Sequence, residues 1–175
     1  MFFFFYISPP PLILPPFPQT PPRRAALPGY AATTNPALSP LTAPADRHGF
    51  AVCYPQGAKD GRGKSCWNVG YPFQADMTVD DVRFLTELVR HLQKKHGLSR
   101  HNIFCTGMSN GGEMCYQLAA QRPRPFAARG PVSGPMLDWH YKADRGTAPG
   151  PPLLNHGTED RTSAWLGDPQ NKGGW

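Results

Sequence analysis

Gly107-Met108-Ser109-Asn110-Gly111 is the stretch whose reading decides the fold. It fits the pattern G-x-S-x-G. A short apolar run precedes it (Ile103, Phe104, Cys105, Thr106), and a helix-like segment from Glu113 to Gln121 follows it. Strand, sharp turn and helix in that order predict a nucleophile elbow, with Ser109 held on a strained turn and its hydroxyl exposed. Gly107 and Gly111 are the positions expected to let the strand and helix backbones pass close together.

The neighbouring segments extend the pattern. Phe50-Ala51-Val52-Cys53-Tyr54 is a strand candidate ended by Pro55, and a polar loop from Gln56 to Ser65 follows. Trp67-Asn68-Val69-Gly70 is placed to fold back over that loop. Thr78 reads as an N-cap, with Asp80 and Asp81 in the first turn of the helix it opens. Val82, Leu85, Val89 and Leu92 recur at helical spacing, and Phe84 and Leu88 widen the stripe. Lys94 and Lys95 suit the last turn, and Gly97 suits the left-handed position after it. The elbow unit reads as a strand over 102–106 and a helix over 112–121, stopped before Pro123. Ala127 to Val132 is a weaker strand, in which Arg129 and Pro131 argue against a central position. Residues 134–150 read as irregular. Pro152 to His156 is a last short strand, running into Gly157-Thr158-Glu159-Asp160. Strand–helix alternation of this kind predicts an α/β fold with a mostly parallel sheet and crossover helices.

Composition sets bounds around this core. The 175 residues suffice for one domain with a real core. Eighteen Lys and Arg against 12 Asp and Glu give a formal charge of +6. The basic residues are scattered, with only pairs at Arg23-Arg24 and Lys94-Lys95, so they read as a solvated surface. No nucleic-acid-binding motif is present. The cysteines, Cys53, Cys66, Cys105 and Cys115, form no C-x-x-C pair, which argues against a zinc site. Cys105 and Cys115 read as small buried apolar residues, and a Cys53–Cys66 disulfide is left open.

Residues 1–45 differ from the rest. They hold 12 of the 22 prolines, no Asp or Glu, and only Arg23 and Arg24 as charged side chains. The opening Met1 to Ile7 is apolar but is followed by Pro9-Pro10-Pro11; it is too short to span a membrane and lacks the positive start of a signal peptide. Because proline removes ladder donors and fixes φ, the segment is expected to form neither a central strand nor a helix. It reads as a disordered leader over 1–45 joined to a globular domain over 46–175. The alternative is a proline-rich ligand for a partner domain.

The elbow implies acyl transfer by a serine nucleophile, Ser109. Such a site needs an acid, a histidine base and an oxyanion hole. Asp160 sits where an acid that orients an imidazole is expected, just past the strand that follows the elbow unit; a surface turn is the structural alternative, and Glu159 is the lesser carboxylate. His48, His91, His96, His101, His140 and His156 all precede Asp160, and none is assigned as the base. His156 reads as a turn residue and His140 as part of an irregular segment. The oxyanion hole is expected to use the backbone N–H of Asn110, with a second donor, Tyr30, in Leu27-Pro28-Gly29-Tyr30.

These motifs together resemble a family. Tyr54-Pro55-Gln56-Gly57, Cys66-Trp67-Asn68, Val79-Asp80-Asp81-Val82, Thr106 to Gly112, Pro131-Val132-Ser133-Gly134 and His156 to Asp160 are similar to the polyhydroxybutyrate-depolymerase-type esterases, with their feruloyl and acetyl-xylan esterase relatives, in the α/β-hydrolase superfamily. The resemblance covers roughly residues 46–175 and implies Ser109 as nucleophile and Asp160 as acid. It further implies secreted serine carboxylic-ester hydrolysis of a polyester or plant cell-wall ester, with no metal or organic cofactor, no nucleic-acid partner and no membrane span. The family's histidine lies in a later segment than any present here, and its early His-Gly motif stands here as Pro28-Gly29. The expectation is a partial α/β-hydrolase fold, shortened at its C-terminus and lacking the last strand and helix. It would be weak or inactive as an esterase, or else a non-catalytic fragment or interaction module.

Overall fold

The computed structural model describes residues 4–7, 23–27, 41–122, 124–143 and 153–168. In chain order these form β1 (Phe4–Ile7), β2 (Arg23–Leu27), α1 (Thr42–His48), β3 (Ala51–Tyr54), β4 (Ala58–Lys59), β5 (Ser65–Cys66), a 3-10 turn (Pro72–Gln74), α2 (Asp81–His96), β6 (Ile103–Met108), α3 (Asn110–Gln121), β7 (Ala128–Val132) and α4 (Asp138–Ala143). Five strands make one sheet in the order β1-β3-β2-β6-β7, and β4 and β5 form a separate antiparallel hairpin. Only β1 runs antiparallel in the main sheet; the β3–β2, β2–β6 and β6–β7 pairs are parallel. The α/β class with a mostly parallel sheet is therefore observed.

Apolar residues cover both faces of the sheet. Val52 and Tyr54 point to one side, where Phe50 and Ala45 of α1 meet them. Ile103 and Cys105 point to the other and pack with Val82, Leu85 and Val89 of α2 and with Met114 and Leu118 of α3. The four residues of β3 are all buried, as expected of a strand covered on both faces. α2 opens on Asp80, whose carboxylate accepts from Arg83 N at 2.8 Å. The helix thus starts two residues later than Thr78 suggested. It closes on Gly97 at φ 60°, in the left-handed conformation expected there.

Two expectations are corrected by the sheet. The first concerns the proline-rich leader: β2 lies between β3 and β6, with parallel partners on both sides, and β1 forms an edge. The prolines bracket these strands instead of interrupting them. Phe4–Ile7 and Arg23–Leu27 contain none, so every ladder donor in them is intact. α1 likewise tolerates Pro44 in its first turn, where a backbone N–H has no partner within the helix.

The second concerns β7, the terminal strand of the five, whose outer side is nonetheless covered. Residues 153–155 continue the sheet beside it, through a parallel bridge between Val132 and Asn155. Leu153 N donates to Arg129 O at 2.9 Å and Asn155 N to Pro131 O at 3.1 Å. The polar backbone groups of Arg129 and Pro131 therefore face this outer segment. The donor that Pro131 lacks is lost from the short outer pairing, and the ladder to β6 stays complete. The segment expected to be irregular contains α4, anchored by fully buried Leu137.

Candidate active site

The parallel strands end on one edge of the sheet. Across that edge, Leu27 stands in register with Gly107, and Met108 with Val132. The chain steps from β2 to β3 on one side and later returns to place β6 on the other side of β2. Such a reversal of strand order is where a crevice opens beyond the strand ends of an α/β sheet. The turn after β6, the first residue of which is Ser109, sits at that point.

Ser109 adopts φ 51° and ψ −121°, a left-handed conformation for a non-glycine residue. A backbone state of this kind costs about 1–3 kcal/mol and persists only where its surroundings fix it. Here Ser109 N donates to Val132 O at 2.9 Å, and Ser109 O accepts from Glu113 N at 3.0 Å. The close approach falls at Gly112 and Gly134. A Cβ on Gly112 would lie 3.2 Å from Gly107 O, and one on Gly134 would lie 2.5 Å from Ser109 O. Gly107, one of the two glycines the sequence places at this approach, takes part in it through its carbonyl oxygen. Gly134 comes from the loop after β7, which no local strand–turn–helix pattern brings to the elbow.

The Ser109 side chain is half-buried and makes no capping bond to α3. Asn110 is the first residue of α3, so its N–H has no carbonyl partner within the helix. Its side chain is fully engaged: Oδ1 accepts from Trp67 N at 2.7 Å, and Nδ2 donates to Trp67 O at 3.2 Å and to Glu113 Oε2 at 3.1 Å. Tyr71 donates its hydroxyl to the other Glu113 oxygen at 2.8 Å. Glu113 is buried, and burial raises its pKa against the opposing pull of the Tyr71 and Asn110 hydrogen bonds. Sequence reasoning missed Glu113 and Tyr71. The available signal was the single acidic residue of α3, set in its first turn. Tyr30 lies outside the described residues; the last described residue of β2, Leu27, is level with Gly107.

Asp160 lies on the same edge, in the loop after residues 153–155. Its Oδ1 accepts from Thr162 N at 2.8 Å and Ser163 N at 2.9 Å, and these two donors hold the carboxyl below its ordinary pKa. Its Oδ2 is 3.5 Å from His156 Nε2. That nitrogen also sits 2.6 Å from Ser163 O, which makes it the donor of this bond, and the ring meets Trp165 edge-on. His156 thus braces its own turn. Through Val132 and Asn155, the Asp160 loop begins two strand spacings, about 10 Å, from Ser109.

None of the other histidines is brought to Ser109. His91 and His96 belong to α2, His48 ends α1, and His101 lies at the opposite end of β6. His140 is held in α4, buried, with Nε2 3.2 Å from Gln117 Oε1; burial pushes its pKa down to about 4. This corrects its expected place in an irregular segment. Two cavities, of about 360 and 730 Å³, lie along α2 and the later turns of α3 and not at the elbow.

All four cysteines are free and buried, so Cys53 and Cys66 are not paired. Cys105 and Cys115 stand with sulfurs 3.3 Å apart beneath the elbow. Among the described residues no cluster of His, Cys, Asp and Glu has the makings of a metal site, and no helix is long and apolar enough to cross a membrane.

A family model described as Esterase PHB depolymerase matches residues 37–144, more than half of the chain. Acetylxylan esterase A of Aspergillus oryzae is 32% identical over 93 residues, covering 51% of this chain and 29% of the relative. Poly(3-hydroxyalkanoate) depolymerase C of Paucimonas lemoignei is 24% identical over 118 residues, covering 67% and 28%. The chain thus spans less than a third of these curated relatives. Among solved structures, an acetyl xylan esterase from Aspergillus awamori superposes with a TM-score of 0.70 at 21% identity, covering 94% of this chain and 70% of that one. A Bacillus cereus carboxylesterase gives 0.64 at 17% identity, covering 94% and 74%. At these identities the likeness is one of fold.

Proposed function

The chain belongs to the esterase PHB depolymerase family, and on that premise we propose that it carries the nucleophile half of a secreted serine carboxylic-ester hydrolase. The substrate class is a polyhydroxyalkanoate or an acetyl or feruloyl ester of a cell-wall polymer. Ser109 Oγ attacks the ester carbonyl as a general base takes its proton, the Asn110 N–H and a donor at Tyr30 receive the oxyanion, and collapse of the tetrahedral intermediate returns that proton to the departing alcohol and leaves an acyl-serine that water hydrolyses to acid and free serine. Asp160 is the acid that orients the base. None of the six histidines is assigned as that base, so this chain turns over short p-nitrophenyl esters slowly or not at all.

The single observation that carries this reading is Ser109 at φ 51° on the turn between β6 and α3, followed directly by the unpaired helix-start N–H of Asn110. This is the arrangement an elbow needs, and strain of this kind clusters at functional sites. Reaction with a fluorophosphonate probe tests it. The expected result is slow labelling, lost in Ser109→Ala. Labelling that survives the substitution, or a folded wild-type chain that never reacts, overturns it.

A further inference from the structure

We propose that Glu113 is a positioning residue for this site: through the Asn110 side chain, and with Tyr71, it fixes the peptide N–H that faces a developing oxyanion. The proposal rests on the reading of Ser109 as nucleophile and adds a residue which that reading does not use.

The geometry supplies a closed chain of contacts. Both hydrogens of Asn110 Nδ2 are committed, one to Trp67 O and one to Glu113 Oε2, and Oδ1 is committed to Trp67 N. An amide side chain with both donors and its acceptor engaged has one orientation, and its own backbone is fixed with it. Glu113 holds the network at two further points: its Oε1 takes the Tyr71 hydroxyl, and its N–H closes on Ser109 O. The first turn of α3 is therefore tied to the elbow on one side and to residues 67–71 on the other.

That second segment is itself rigid. Gln74 Oε1 accepts from Val69 N and Tyr71 N, Gln74 Nε2 donates to Trp67 O at 2.8 Å, and Asn68 N donates to Asp81 at 2.7 Å. Two donors converge on Glu113 in a buried place, and its position in the first helical turn favours a carboxylate there. Alanine at 113 would leave one buried Asn110 N–H and the partly buried Tyr71 hydroxyl without their acceptor, and it would free the Asn110 peptide to tilt. With no base assigned, what acceleration the chain supplies comes from the oxyanion hole and binding. The placement of one donor then has a large share of it, since removal of a donor costs about 10²–10³ in rate.

The test uses the full chain with a fluorophosphonate probe, read as a saturating labelling rate and a half-saturating concentration, alongside hydrogen exchange at residues 108–113. Glu113→Ala should lower the saturating rate about tenfold or more, from partial loss of a donor, with the half-saturating concentration unchanged and elbow exchange faster. Glu113→Gln keeps the shape and one acceptor for Asn110, and Tyr71 can reverse its bond. It should recover the rate to within about threefold, the cost of one weakened neutral bond. A folded Glu113→Ala chain with the wild-type rate and exchange overturns the proposal. Should Glu113→Ala fail to fold, Tyr71→Phe carries the test: slower labelling and faster elbow exchange support it, and wild-type values for both overturn it. If the wild-type chain takes no label, the Ser109 reading falls, and the exchange measurement decides the positioning role alone.

Discussion

Gly134→Ala is expected to damage the fold from a loop position that makes no side-chain contact in the wild type. An added Cβ would sit 2.5 Å from Ser109 O, 2.9 Å from Glu113 N and 2.9 Å from Gly112 Cα. All three are backbone atoms, so no side chain can swing away. Relief requires moving either the elbow or the loop after β7, and both are held by the Ser109–Val132 and Ser133–Asn155 bonds. Overpacking of a tight site costs about 1–3 kcal/mol, and crowding against three fixed atoms belongs at the upper end. In a chain of this length, 2–3 kcal/mol lowers the melting temperature by roughly 4–12 °C. Gly112→Ala meets its nearest atoms at 3.2 Å and should lose less. Gly157→Ala meets nothing within 4 Å and serves as the control, expected to be neutral. Thermal unfolding of the three variants, with fluorophosphonate labelling of each, reads the order directly. A Gly134→Ala chain that melts with the wild type, or no worse than Gly157→Ala, would refute the packing argument.

Asp81 is buried at the start of α2, and burial raises its pKa from about 3.8 to about 6, against the bond from Asn68 N. A raised folded-state value means that its favourable contribution is complete below about pH 4 and lost as pH rises through 6. The difference corresponds to about 3 kcal/mol before relaxation. Asp81→Asn keeps an acceptor for Asn68 and should therefore gain about 2–3 kcal/mol on the wild type between pH 4 and pH 8, in urea unfolding at both values; parallel pH profiles for the two proteins would sink the argument. Deleting residues 1–45 removes β1 and β2 and leaves β3 and β6 about two strand spacings apart, near 10 Å, with no ladder between them. The shortened chain should aggregate and show no cooperative melt, and a soluble cooperative product would show that this segment is dispensable to the sheet.

The elbow and its helix were legible because their signals are local. Glycine spacing, an apolar strand and a helical stripe all lie within about twenty residues, and α2 shows its start, buried face and Gly97 end in the same way. β2 was hidden by composition: the prolines around Arg23–Leu27 are dense, and only the pairing with β3 and β6 shows that none falls inside the strand. Pro131 misled for a related reason. Proline is excluded only from the side of a strand that must donate, and which side that is depends on the neighbour. The contacts of Gly134 and Tyr71 with the elbow unit could not be read, because they are long-range and leave no spacing in the sequence.

The strained serine, the helix-start N–H and their supports are consequences of one compact unit, β6 with α3 and the loop after β7, and that unit is complete in the chain. In the proposed mechanism, base and acid come from elsewhere along the sheet edge. His156 illustrates the difficulty: it is the nearest histidine in sequence to Asp160, yet its Nε2 is given to Ser163 O at 2.6 Å and stands 3.5 Å from the carboxylate, so the ring braces the turn instead of being held by Asp160. Freeing it would break the turn that presents Asp160. The loop geometry therefore fits a carboxylate that receives a histidine from another segment better than it fits one that shares His156.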